Sequence, residues 1–226
     1  SGRNSNGYGD YTFAKTGFIT RVRTSGSYPL SITIHPDPTW CDENLSAFFD
    51  WNRDGDFVDS GEKVAIAEDT CQAGPHTVYV KVPSSAVPGE TRMRIVLKYY
   101  DIPLSYGWLD EGEAEDYSVL TEYPAITGDN RSEWITNVTL ENTTNTTGRD
   151  ANGYGDYTYW ATANAMEVVQ NETYSFRVTI SPDIDWCDEN VTAFLDWNHD
   201  GDFADYSEQV VVAARTCTAG PHVVKL

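Results

Sequence analysis

The stretch "AFFDWNRDGDF" (Ala47–Phe57) returns as "AFLDWNHDGDF" (Ala193–Phe203), and its reading decides the fold. An apolar, aromatic run of strand length feeds an Asp-x-Asn-x-Asp-Gly loop, with oxygen-bearing side chains at every second position and a glycine where the chain must turn. The repetition extends well beyond this stretch. Residues 1–80 align with 147–226 without a gap at an offset of 146, with 41 of the 80 positions identical. "NGYGDYT" (6–12) answers "NGYGDYT" (152–158), "WCDEN" (40–44) answers "WCDEN" (186–190), and "CQAGPH" (71–76) answers "CTAGPH" (217–222). A period of this length suits a whole domain per copy and marks a tandem duplication. Residues 81–146 occur once, between the two blocks.

Outward from the loop the pattern is β. "LSITI" (30–34), "KVAIA" (63–67), "HTVYVKV" (76–82), "TRMRIVLKYY" (91–100), "DYSVL" (116–120) and "WITNVTLENTT" (134–144) alternate or are rich in β-branched and aromatic residues. Gly, Pro, Asp and Ser clusters bound them. One helix candidate interrupts them, "TANAMEVVQ" (162–170). The expected class is all-β, with tandem β-sandwich domains of immunoglobulin-like or jelly-roll-like type.

The 226 residues carry a formal charge of −20. That surface repels phosphate, which argues against nucleic acid and anionic lipid and favours multivalent cations as partners. No apolar run approaches the roughly 18 residues of a membrane span, so no membrane insertion is expected. The four cysteines fall as Cys41 and Cys71, then Cys187 and Cys217, 30 apart in each block. The equal spacing predicts one disulfide per repeat, and hence an oxidising, extracellular or cell-surface location. Sequons at Asn44, Asn130, Asn137, Asn142, Asn145, Asn171 and Asn190 point to N-linked glycans on a secreted protein.

"GYGDYT", "AFFDWNRDGDF", "VPSSAVPGETRMRI" and "GEAEDYSV" (112–119), in that order, resemble the bacterial GEVED domain, whose Gly-Glu-Val-Glu-Asp ending appears here with Ala114 in place of the valine. The resemblance spans nearly the whole chain and implies a secreted or cell-surface protein, often of many domains. The family name implies no enzymatic activity. On that template residues 1–121 are a first sandwich lacking its opening strand, and 122–226 a second lacking its C-terminal strands. Neighbouring copies of the chain or adjacent repeats would then complete the domains head to tail, a contact that builds filaments when it does not close.

In the first loop Asp50, Asn52 and Asp54 occupy positions one, three and five, Gly55 position six, and Asp56 can ligate through its carbonyl. Position twelve is Gly61, so Asp59 or Glu62 would close the shell. The second copy offers Asp196, Asn198, Asp200, Asp202, Asp205 and Glu208. All are oxygen donors, which suits one Ca2+ per domain on a β-scaffold. The acids of "LDEGEAEDY" (Asp110, Glu111, Glu113, Glu115, Asp116) could only with difficulty serve a glycosidase. They fit better on a cation or on Arg92 and Arg94. Asp10 and Asp156 read either as structural residues or as residues that support the cation ligands from behind. No histidine cluster and no activated nucleophile occur, so no catalysis is expected. The sequence reads as a calcium-stabilised extracellular structural repeat of a fibre, stalk or surface adhesin. The rival reading is a carbohydrate-binding accessory module of a secreted enzyme, with Tyr106 and Trp108 as the stacking platform.

Overall fold

The computed structural model describes residues 6–124, 126–157, 166–183 and 185–226. The chain is all-β and divides into two compact units, one of Ser1–Pro124 with Asn198–Asp202 and one of Ala125–Trp197 with Phe203–Leu226.

The first unit begins with β1 (Tyr8–Tyr11), a single helical turn α1 (Phe13–Thr16), and β2 (Thr20–Arg23). Gly17 ends the turn at φ 73°, donating its N–H to the Phe13 carbonyl, a backbone shape that glycine adopts without strain. There follow β3 (Ser27–Ile34), β4 (Glu43–Phe49), β5 (Lys63–Thr70), β6 (Gly74–Lys81), β7 (Gly89–Tyr99) and β8 (Gly112–Glu122). The five strands expected between residues 30 and 120 therefore form. They assemble as a six-stranded sheet in the order β1-β8-β7-β4-β5, with β2 also on β8, and a two-stranded sheet of β3 and β6. Alternation along β3 and β6 turns Ile34 and Val80 inward, where they join Leu45, Ala47 and Phe49 of β4, Ile95 of β7 and Val119 of β8 in one core. Both sheets thus contribute to that core, which is the reason for the alternation.

The opposite face of the large sheet holds a smaller cluster. Phe48, Val96 and Ala114 are buried there beneath Phe57 of the acidic loop and Leu109. β4 is buried on both faces and along its whole length.

The second unit contains β9 (Trp134–Leu140), β10 (Thr143–Thr146), a 3-10 turn at Ala151–Gly153, β11 (Ser175–Ser181), β12 (Glu189–Phe194), β13 (Gln209–Thr216) and β14 (His222–Lys225). One sheet runs β10-β9-β11-β14, and β12 pairs with β13. Val178 and Ile180 of β11 meet Val191 of β12 and Val212 of β13 in its core. "WITNVTLENTT" proves to be a hairpin of two strands. The helix candidate at 162–170 falls partly outside the described residues, and its described part, Met166–Gln170, is not helical.

Pairing reproduces the repeat residue by residue. Glu43↔Thr70, Leu45↔Ala67, Ser46↔Ala65, Ala47↔Val64 and Phe48↔Lys63 recur as Glu189↔Thr216, Val191↔Ala213, Thr192↔Val211, Ala193↔Val210 and Phe194↔Gln209, with the register shifts in the same places. Leu30↔Val78 recurs as Phe176↔Val224. The predicted disulfides form. Cys41–Cys71 and Cys187–Cys217, with Cα atoms 4.9 and 5.0 Å apart, tie off the open ends of the two matching hairpins. Each closes a 30-residue span, worth about 3–4 kcal/mol in the chain-entropy account.

Candidate functional site

β4 delivers the chain into the acidic loop at Asp50. A series of short Asx turns then shapes it: the backbone N–H groups of Asp54, Asp56 and Val58 donate to the side chains of Asn52, Asp54 and Asp56 at 3.2, 3.1 and 2.9 Å. The Asn52 amide donates to Asp54 Oδ2 at 3.0 Å and Asp59 Oδ2 at 2.7 Å. Gly55 at φ 95° makes the sharp turn and donates to Asp50 Oδ2 at 3.2 Å. The carboxylates of Asp54, Asp56 and Asp59 lie within 4.8 Å of one another on the exposed side.

Two further acids lie on the inner side. Glu62, 2% exposed, accepts from the N–H groups of Trp51 at 2.9 Å and Asp59 at 3.3 Å. Asp50 Oδ1 is buried and accepts no hydrogen bond within the protein. Burial pushes both carboxyls above the usual carboxylate range. A buried carboxylate oxygen lacking a donor is costly, and a hard cation is the kind of group that offsets it. The oxygen-only donor set therefore fits Ca2+.

The second loop repeats this local design. Asn198 donates to Asp200 Oδ2 at 2.9 Å, Asp202 N–H donates to Asp200 Oδ1 at 3.1 Å, and Glu208, 1% exposed, accepts from Trp197 N–H at 3.2 Å and Asp205 N–H at 3.3 Å. Here Asp196, Asp200 and Glu208 come within 4.8 Å of one another. So the loops share sequence and turns, but different triads converge.

Beside the first loop lies an ion-pair cluster that sequence reasoning only outlined. Asp116 is 0% exposed; Arg94 grips it in bidentate fashion, Nε to Oδ1 at 2.6 Å and Nη2 to Oδ2 at 2.8 Å. Arg92 Nη1 stands 3.3 Å from Oδ2, and the Tyr8 hydroxyl donates to the same oxygen at 3.0 Å. Arg94 also donates to the Ser105 carbonyl at 2.6 Å and lies 5.4 Å above the Phe57 ring. The cluster welds β1, β7 and β8 together under the loop. The signal for it was Arg-x-Arg set opposite Glu-x-Glu-Asp on neighbouring strands, but only the register Arg94↔Asp116 identifies which acid is gripped. Glu115 instead accepts from the Tyr117 hydroxyl at 2.5 Å, and Asp10 accepts from the Thr12 hydroxyl at 2.7 Å.

Among the sequon asparagines, Asn142, Asn171 and Asn190 are exposed, while Asn130, Asn137 and Asn145 are half-buried. Asn44 is buried, its amide donating to the Asp42 carbonyl at 3.3 Å and its Oδ1 accepting from Asp69 N–H at 3.2 Å. Asn190 makes the same two bonds, to Asp188 and from Arg215, at 3.3 and 3.2 Å. These asparagines clamp the strand bulge at Asp69 and Arg215, both of positive φ. Asn44 thus differs from the exposed sequon asparagines in that its side chain, engaged on both atoms, is also buried.

The stretch from β4 to β8 that builds this site, residues 44–120, matches the family model of the GEVED domain. Within the first unit, this segment is thus similar to the GEVED domain. Within the match fall the acidic loop, Arg92, Arg94 and Asp116, so the matched segment combines the loop and the ion-pair cluster in one module. No curated protein matches the chain.

Proposed function

We propose that the chain is a non-enzymatic extracellular structural repeat, a tandem of β-sandwich domains of GEVED type, each stapled by one disulfide and one Ca2+. In this reading it builds a fibre, stalk or surface adhesin by head-to-tail strand complementation. The observation that carries the calcium staple is the buried, unpartnered Oδ1 of Asp50 at the mouth of an oxygen-only loop. The loop occurs twice because the domain does. Two disulfides support an oxidising compartment, and the exposed sequons support a glycosylated surface.

Head-to-tail assembly draws support from complementary strand edges. In the second unit β11 is flanked by β14 and β9, whereas among the described residues its counterpart β3 pairs only with β6. Conversely β4 is flanked by β5 and β7, whereas among the described residues its counterpart β12 pairs only with β13. Among the described residues, each repeat displays an edge that the other has filled.

Thermal unfolding in calcium and in chelator tests the staple. A hundredfold excess over Kd should stabilise by about 2.7 kcal/mol, and Asp50→Asn with Asp196→Asn should abolish the gain. Identical melting curves with and without calcium would sink the reading.

The accessory-module alternative is favoured by one observation. Tyr106 and Trp108 are exposed on the loop after β7, which Arg94, Lys63 and Lys98 fasten through the carbonyls of Ser105, Pro103 and Asp110. Quenching of Trp108 fluorescence by oligosaccharides, lost in Trp108→Ala, would favour it.

A further inference from the structure

We infer that the open edge of β12 is an acceptor for an extended segment with the β7 pattern, a strand whose alternate residues are apolar and cationic. The inference rests on the strand-complementation part of the reading above and names the partner.

The first unit supplies the template. β4 and β12 share Glu, Asn, Ala and Phe at four of seven positions, Glu43–Phe49 against Glu189–Leu195. Their hairpins with β5 and β13 match pair for pair, bulges included. The far edge of β4 is taken by β7 over seven residues, Glu43↔Tyr99 through Phe49↔Met93. Among the described residues the far edge of β12 has no strand beside it. An unpaired edge with a buried apolar face behind it is a pairing template.

Exposure records what is uncovered. Phe48, 3% exposed, packs with Val96 and Ala114 of β7 and β8, while Phe194 is 51% exposed. Both phenylalanines keep the same aromatic neighbour, Phe57 at 6.3 Å and Phe203 at 6.0 Å between ring centroids. What differs is the strand alongside.

The overall charge is consistent with the same occupant, although Asp188 is already paired with Arg215 at 3.2 Å. β7 carries Arg92, Arg94 and Lys98 against Glu90, a net of +2 in a chain of −20. The acceptor is acidic at its near end, with Asp188 and Glu189. The register follows from the template: Glu189 opposite Tyr99, Val191 opposite Leu97, Ala193 opposite Ile95 and Phe194 opposite Arg94. Met93, Ile95 and Leu97, which pack on the first unit's core, would then close the core of Val178, Ile180, Val191 and Val212.

The test is fluorescence anisotropy of a labelled peptide of sequence Gly89–Tyr99 titrated with the full chain, with sedimentation of the chain alone as the companion measurement. One peptide should bind per chain. Asp at peptide positions 95 and 97 should weaken binding about a hundredfold, since two apolar side chains no longer enter the core. A peptide N-methylated along the pairing edge should not bind. On the chain, Phe194→Lys should weaken binding without unfolding it, because Phe194 is already half exposed. Equal binding of the native and Asp-substituted peptides, or none, overturns the assignment. So does a self-associated chain whose contacts the peptide fails to displace, since a second copy would then cover the edge in another way. Either negative leaves the calcium-dependent melting shift intact, so failure of the donor strand is separable from failure of the staple.

Discussion

The hairpins β4–β5 and β12–β13 share sequence, register, bulge, disulfide and acidic loop, yet one is part of a six-stranded sheet and the other, among the described residues, pairs only with itself. Trp51 beside the first loop is 4% exposed and its counterpart Trp197 is 43%. The core behind β4 takes Leu45, Ala47 and Phe49 together with residues of β3, β6, β7 and β8, while that behind β12 rests on Val178, Ile180, Val191 and Val212. Local sequence therefore fixes hairpin geometry, and the neighbouring strands fix how much of it is buried. Burial, in turn, sets what a given side chain contributes.

That contrast can be broken by mutation, most severely at Asp116. Removing its carboxylate leaves the Arg94 guanidinium without its buried partner. Asp116→Ala is expected to cost about 3–5 kcal/mol, read as lost hydrogen-exchange protection in β1, β7 and β8 while β9 and β11 keep theirs. Uniform loss across both units would show that they do not unfold separately.

The phenylalanine pair sharpens the comparison directly. Phe48→Ala should cost about 3 kcal/mol or more in denaturant unfolding, and Phe194→Ala less than about half of that, since its ring is half exposed already. Equal costs would mean that the edge of β12 is covered in solution.

A smaller difference is expected at the bulge clamps. Asn44→Ala leaves the Asp69 N–H without its acceptor in a buried setting, at about 1–3 kcal/mol. Asn190→Ala, at an exposed position where water replaces the amide, should cost under about 1 kcal/mol. The smallest effect concerns Glu43, whose carboxyl is pushed up by burial and by the charges of Asp37 and Asp42. The folded state thus holds this proton more tightly than the unfolded chain does. Its stabilising contribution is complete below the unfolded value of about 4.3 and is lost as pH rises through the folded one. Glu43→Gln should accordingly raise Tm slightly at pH 7 and leave it unchanged near pH 4, and a lower Tm at pH 7 would contradict this.

Much of the fold was legible because its signals are local. The alternation in "HTVYVKV" and the matched 30-residue cysteine spacing needed no tertiary partner to be read. The acidic loops were legible for the same reason: Asp-x-Asn-x-Asp-Gly shapes its own turns through Asn52, Asp54 and Gly55. The bulge role of Asn44 was hidden, because Asn-Leu-Ser reads only as a sequon, and the fold alone sets Asp69 against its side chain. The ion-pair cluster was half legible, since Arg92, Arg94 and the acids were visible but the gripped acid depends on strand register.

The sequence by itself determined the duplication, the β class, the disulfide pairing and the two loops, since each is encoded by spacing within one segment. Tertiary structure alone decided which copy of the hairpin is enclosed, which acid Arg94 holds, and which carboxylates converge in each loop. Those outcomes depend on strand order and on exclusion of water, properties of segments far apart in the chain.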